Sequence, residues 1–171
     1  DPKRLLDILC KFNPECVPFA EKLTMAVDML KPRAKTMIEY RQAADFIIAQ
    51  RPLTIEEKAA KSTTTDAGKE VLGAIKEHLL GYSGAWTTEA LEPVVNKLAE
   101  DKALKLGQVA SPMRAALTGS SASPGIYEVM WVLGKEEVLG RLQDAVEGKN
   151  PIKAAPKKEV PPPKEDKKSA K

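Results

Sequence analysis

Two places in the chain combine side-chain types and spacing that can do chemistry, and each is built around an arginine. The first is residues 111–127, S-P-M-R-A-A-L-T-G-S-S-A-S-P-G-I-Y. Arg114 carries a planar fork of N–H donors, and uncharged small residues follow from Thr118 to Ser123. A first short helix, 112–117, is expected to end at Gly119, a residue that takes the left-handed conformation freely. Ser123 suits an N-cap and Pro124 a first helical position, so a second helix with free N–H groups is expected to begin there. An arginine, several hydroxyls and a helix N-terminus together suit a polar, anionic or nucleotide ligand. The same residues equally make an ordinary corner between two helices, with Arg114 capping carbonyls and the serines capping a helix.

The second place is K-P-R-A-K-T, residues 31–36, where Lys31, Arg33 and Lys35 surround an expected helix start. Cations are mildly unfavourable at that end of a helix dipole, and an external phosphate or base would account for them. Three long side chains reaching into water are the alternative.

Catalytic or metal chemistry has no comparable support. His78 is the sole histidine, has no cysteine or carboxylate at ligand spacing nearby, and reads as an ordinary helix residue. Cys10 and Cys16 are too few for a disulfide framework and are expected to be reduced and partly buried. No phosphate-cradling Gly-rich loop, G-x-S-x-G or H-E-x-x-H occurs. Glu128 and Asp144 read as helix-surface carboxylates without evident partners. Trp86 stands just before a capped helix and reads as a core plug rather than a base-stacking face.

The elements that must position these residues are helical. With 43% hydrophobic and 5% aromatic residues and no long alternating run, the 171 residues are expected to form an all-α fold. Apolar periodicity predicts helices over 1–12, 16–30, 32–50, 55–60, 66–80 and about 87–104, the last with a start distorted by Pro93. After the 112–117 helix, Ile126, Val129, Met130 and Leu133 recur on one face, and a final helix begins at Lys135. Arg51-Pro52 and the tract K-S-T-T-T divide this into two small helical subdomains, residues 1–62 and 63–147. Residues 148–171, rich in Lys, Pro and Ala, are expected to be a disordered tail that raises nonspecific RNA affinity or simply aids solubility.

Residues 147–171 hold eight lysines against four acids, while residues 1–146 hold 19 basic and 20 acidic residues. The body therefore does not bind nucleic acid by bulk charge, and any RNA contact must be local. No stretch is long and apolar enough for a membrane helix, and the charged opening D-P-K-R-L-L-D is unlike a signal peptide, so a soluble intracellular protein is expected. The chain begins with Asp1, which reads as a fragment or processed product lacking the N-terminal neighbours of its first subdomain.

Residues 106–142 hold, in order, P-x-R-x-A-L-T-G, a short loop, S-P-G, an apolar helix, L-G-K-E and a closing R-L. With R-A-K-T-M at 33–37 and W-T-T-E at 86–89, this order resembles the C-terminal anticodon-binding region of bacterial-type glutamyl-tRNA synthetases, over about residues 22–146. The resemblance implies a helix-bundle-like anticodon-binding fold. It implies that Arg33 serves the third anticodon base, as in members that charge only their own tRNA, while Arg114 and the Ser123-Pro124-Gly125-Ile126 turn serve the other two. Ile126 would pack on a base face, and Ser123 would meet base edges or phosphate. The implied partner is tRNA-Glu, with no DNA or membrane, and a monomeric, cytoplasmic parent. That parent, a class I glutamate-tRNA ligase, would use ATP and magnesium. This chain lacks the H-I-G-H-like and K-M-S-K-S-like motifs of that chemistry, so alone it is expected to be inactive and cofactor-free. Family members often carry arginine where Glu137 stands, at an expected helix surface. The competing expectation is a helical protein–protein interaction module that presents an apolar groove, to which helix 1–12 would contribute.

Overall fold

The computed structural model describes residues 1–154. Its described part is all-α apart from one two-residue parallel strand pair, as composition predicts. The helices are α1 (Pro2–Phe12), α2 (Ala20–Leu30), α3 (Met37–Ala43), α4 (Asp45–Ile48), α5 (Glu57–Ala60), α6 (Asp66–Leu80), α7 (Thr88–Asp101), α8 (Leu106–Thr118), α9 (Ile126–Leu133) and α10 (Lys135–Val146). The strands are β1 (Ile55–Glu56) and β2 (Ile152–Lys153), with Ile55 opposite Ile152.

Capping chemistry sets several of these boundaries. Thr65 Oγ1 accepts the Gly68 N–H at 3.1 Å and starts α6 where predicted, and Thr87 does the same for α7 through Ala90. α7 runs on through Pro93 to Asp101, three residues short of the expected end. Helix 16–30 is not continuous: Pro14 to Phe19 form a 3-10 helix before α2, because prolines at 14 and 18 cannot donate to an α-helical ladder. Helix 32–50 is likewise replaced by a 3-10 turn at Lys31–Arg33, an extended Ala34, and then α3 and α4. Thr36 decides this, since its hydroxyl accepts from Glu39 N–H while the Glu39 carboxylate accepts from Thr36 N–H, both at 3.2 Å. Lys31, Arg33 and Lys35 therefore precede a helix start that is already capped.

Three further expectations are corrected. The piece 55–60 divides into β1 and α5. α8 begins six residues before Pro112 and carries that proline inside it, buried. Of the expected disordered tail, residues 150–153 are held in place, because Pro151 carbonyl accepts from Ile55 N–H at 2.8 Å and Asn150 Nδ2 donates to Leu53 carbonyl at 2.8 Å. Residues 155–171 lie outside the described residues, and so does the rest of that expectation.

One buried apolar cluster runs from Leu6 and Leu9 of α1 through α2, α6 and α9 to Leu142 and Ala145 of α10. α10 packs most extensively on α6, and α2 lies against α9. Burying such side chains stabilises the fold by about 1.5–3 kcal/mol each. Ile126, Val129, Met130 and Leu133 all face this core, as their spacing predicts. Among the described residues no helix is long and apolar enough to cross a membrane.

Candidate nucleic-acid interface

The loop between α8 and α9 is held by its own polar groups. Gly119, at φ +74°, ends α8 in the left-handed region, and its N–H returns to Ala115 carbonyl at 2.9 Å. A Cβ at this position would strike the Thr54 carbonyl just before β1, and the Gly119 carbonyl accepts from Glu56 N–H at 2.7 Å. Only glycine meets both demands. Thr118 Oγ1 then accepts from Ser120 N–H, and Ser120 Oγ accepts from Ala122 N–H, each at 3.2 Å. These short bonds use polar groups that a helix would otherwise claim, which is why six small residues hold a defined path.

Ser123 does not cap a helix. Its hydroxyl donates to Pro124 carbonyl at 2.9 Å, and α9 starts three residues later than Ser123, at Ile126, with Gly125 at its N-cap. The Glu128 carboxylate accepts the Gly125 N–H at 3.2 Å, so the expected free helix end is partly satisfied from within. Pro124 and Ile126 are buried, Ile126 at 5% exposure. In this arrangement Ile126 anchors the turn in the core.

Arg33 meets this turn from the other end of the chain. Its Nη2 donates to the Ser123 carbonyl at 2.8 Å across 90 residues. The contact lies at a cleft of about 600 Å³ between the α3–α4 segment and the α8–α9 loop, lined on one side by Gln42, Asp45 and Gln50 and on the other by Thr118, Ser120 and Ser123. Glu56 and Lys153 from the strand pair close one end. Arg33 is exposed, and among the described residues one of its five N–H donors is committed. Both donors and acceptors line this cleft, as the edges of nucleobases call for.

Arg114 lies elsewhere. It faces a separate cavity beside α5, with Lys58, Lys61, Ser62, Ser111 and Ser121. The structure thus brings Arg33, Ser123 and Pro124 together, and places Arg114 on the far side of the loop that joins them. Ser120 and Ala122 border the cleft, and Ser121 between them borders the cavity.

An anticodon binding domain model matches residues 8–146 of the sequence. The chain belongs to the anticodon-binding domain family. It is similar to glutamate-tRNA ligase 2 of Paramagnetospirillum magneticum, 47% identical over 130 residues, which are 76% of this chain and 27% of that protein. A ligase of the same description from a Chelativorans species is 49% identical over 123 residues, 72% of this chain and 26% of the other. The chain spans about a quarter of the length of the curated relatives it matches. A crystal structure of a glutamate tRNA ligase from Elizabethkingia meningosepticum shares the fold, with a TM-score of 0.71 at 24% identity over 85% of this chain and 29% of that one.

The anticodon-binding domain also depends on residues that sequence reasoning missed. Arg141 is 1% exposed, and its guanidinium donates to the carbonyls of Leu117 at 2.6 Å, Phe46 at 2.7 Å and Ala49 at 3.2 Å. It thereby ties the end of α8 to α4 directly behind the cleft. Burial pushes its pKa down, while the Glu137 carboxylate, 2.7 Å from its Nε, holds it up. Glu137 is therefore the counter-ion of a buried cation rather than an indifferent surface residue. Asp144 is 6% exposed and takes a two-pronged contact from Arg51 at 2.8 and 3.0 Å, which corrects the expectation that it stands unpaired. Gly140 leaves room for that guanidinium, since a Cβ there would collide with it. The only sequence signal for Arg141 is the closing R-L, which gives no hint of burial.

The remaining candidates fall where their chemistry suggests. Trp86 packs against the core, and its indole N–H donates to Met130 carbonyl at 2.7 Å, so its ring serves the fold. Cys16 is buried and Cys10 half-buried, both free, and burial pushes both thiols up. His78 belongs to no cluster of metal-ligating side chains among the described residues.

Proposed function

We propose that this domain reads the anticodon loop of tRNA-Glu for a glutamate-tRNA ligase of which it forms part. The observation that carries the reading is the Arg33–Ser123 contact, which joins the two arginine-bearing segments at one polar cleft within a chain of the anticodon-binding family. Unstacked loop bases offer their edges to such a cleft, and RNA is read mainly in single-stranded loops. In this reading Arg33 serves the third base through its uncommitted donors, while Arg114 and the Ser123-Pro124-Gly125-Ile126 turn serve the other two, with Ile126 packing on a base face.

The parent protein attaches glutamate to tRNA-Glu with ATP and magnesium, on the part of its length that this chain does not match. It acts as a cytoplasmic monomer, and this chain alone forms no glutamyl-tRNA. The division into subdomains 1–62 and 63–147 belongs to the same proposal. Its hinge would be the segment through Arg51 and β1, close to the cleft.

The test is binding of the chain to tRNA-Glu, tRNA-Gln and an unrelated tRNA at near-physiological salt. Preference for tRNA-Glu that Arg33→Ala abolishes supports the reading. Equal binding of all three, unchanged in Arg33→Ala, would end it.

One observation favours a second reading, a protein-docking module. Phe12 is 76% and Ile38 72% exposed, and with Ile8 and Met37 they rim an apolar hollow between α1 and α3. Self-association of the chain without RNA, abolished by Phe12→Ser, would move this reading ahead.

A further inference from the structure

We infer that the cavity between α5 and α8 holds a backbone phosphate of the bound RNA on Lys58 and Lys61, next to Arg114, which keeps the base-reading role given to it above. This rests on the reading that the domain binds an anticodon loop, and it divides the labour between two neighbouring spaces.

The cavity, about 380 Å³, is lined by three cations, Lys58, Lys61 and Arg114, and by the hydroxyl-bearing residues Ser62, Ser111 and Ser121. Among the described residues no carboxylate lines it. The cleft at Arg33 differs in kind, since Asp45 and Glu56 stand in its wall. A nucleobase edge presents donors as well as acceptors and calls for both in its site. A phosphodiester only accepts, so a wall of donors and positive charge fits it, and phosphate contacts position the ligand without reading sequence. Arg114 Nε is buried and has no hydrogen-bond partner among the described residues, a donor left open beside this cavity. Ser62 Oγ is already committed to Ala59 carbonyl at 2.7 Å, which leaves the cations to dominate.

The position fits a strand of RNA as well as the charge does. Ser121 lines the cavity, while its neighbours Ser120 and Ala122 line the cleft. A nucleotide chain with a base in the cleft therefore needs only to cross one loop for its backbone to reach Lys58 and Lys61. Because residues 1–146 carry no net positive charge, a local cluster of three cations is the kind of feature RNA contact requires here.

The test uses the whole chain and the isolated anticodon stem-loop of tRNA-Glu, titrated over a range of salt. Lys58→Ala with Lys61→Ala is expected to make the log–log salt slope shallower by about 0.7, the value for one phosphate contact on a single strand, and to leave the preference over the tRNA-Gln loop intact. A neutral methylphosphonate at one loop position should weaken the native chain and leave the double variant indifferent. An unchanged slope, or the same decrease from Lys97→Ala on the exposed face of α7, would overturn the inference. Inorganic phosphate alone should bind weakly; saturation at submillimolar concentration would overturn RNA as the source of the phosphate. If the native chain shows no preference among loops, anticodon reading fails, while the slope still decides the cavity.

Discussion

At the scale of single residues, the side chains that hold the interface are not those that face it. Arg141 commits four of its five N–H donors to three backbone carbonyls and one carboxylate, and at 1% exposure it faces no ligand. Arg141→Leu leaves those carbonyls unmatched and Glu137 without its cation, and is expected to cost about 3–5 kcal/mol in urea unfolding. Arg141→Lys should recover little of this, because an ammonium cannot span the fork. Tyr40 is the opposite case. Its hydroxyl is buried without a partner among the described residues, and burial, helped by the nearby Asp28, pushes its pKa up to about 12. A phenol that ionises near 10 when unfolded and near 12 when folded leaves stability untouched below pH 10 and erodes it as pH rises from there through 12. Tyr40→Phe should therefore raise stability at pH 7 by about 1 kcal/mol, and should lose less than the native chain between pH 9 and 11 in the same urea experiment. Neither role was legible in the sequence. Arg141 stands between Gly140 and Leu142 and Tyr40 between Glu39 and Arg41, and only tertiary packing makes the one a rivet and the other an orphan.

At the scale of elements, the legible features were those whose cause is local. The start of α6 was readable because Thr65 caps it from three residues away, and the face of α9 was readable because apolar spacing alone sets it. The start of α9 was not, since Ser123 and Pro124 satisfy the local rules for a helix start but are drawn instead into the turn that meets Arg33. Prolines misled in both directions: Pro14 and Pro18 produce a 3-10 segment, whereas Pro112 sits inside α8 because its other contacts outweigh one lost hydrogen bond. β1 and β2 were invisible, as two residues leave no period to detect. Gly119 links these elements, and Gly119→Ala is expected to cost about 1–3 kcal/mol through its left-handed backbone and the clash at Thr54. The same variant should weaken binding of the tRNA-Glu stem-loop by more than its loss of stability explains, measured at a temperature where both proteins are folded.

At the scale of the whole molecule, both arginine segments depend on one continuous core, so the pieces on either side of residue 62 hold each other in register. The all-α class and the family were readable from composition and motif order, while the separation of Arg114 from Arg33 was not, because sequence gives spacing along the chain and says little about which side of a loop a side chain takes. Arg33→Ala is expected to reduce tRNA-Glu affinity by about 1–3 kcal/mol, and Arg33→Lys to restore less than half of that, as judged by titration against tRNA-Glu and tRNA-Gln. The strand pair has a practical corollary. Lys153 sits at the rim of the cleft on a segment pinned by Asn150 and Pro151, and the two native thiols are held protonated by burial. A cysteine introduced at position 153 would be the thiol that reacts first with a maleimide dye, so β2 offers a ready place for an optical reporter whose brightness tracks occupancy of the cleft while leaving both arginines untouched.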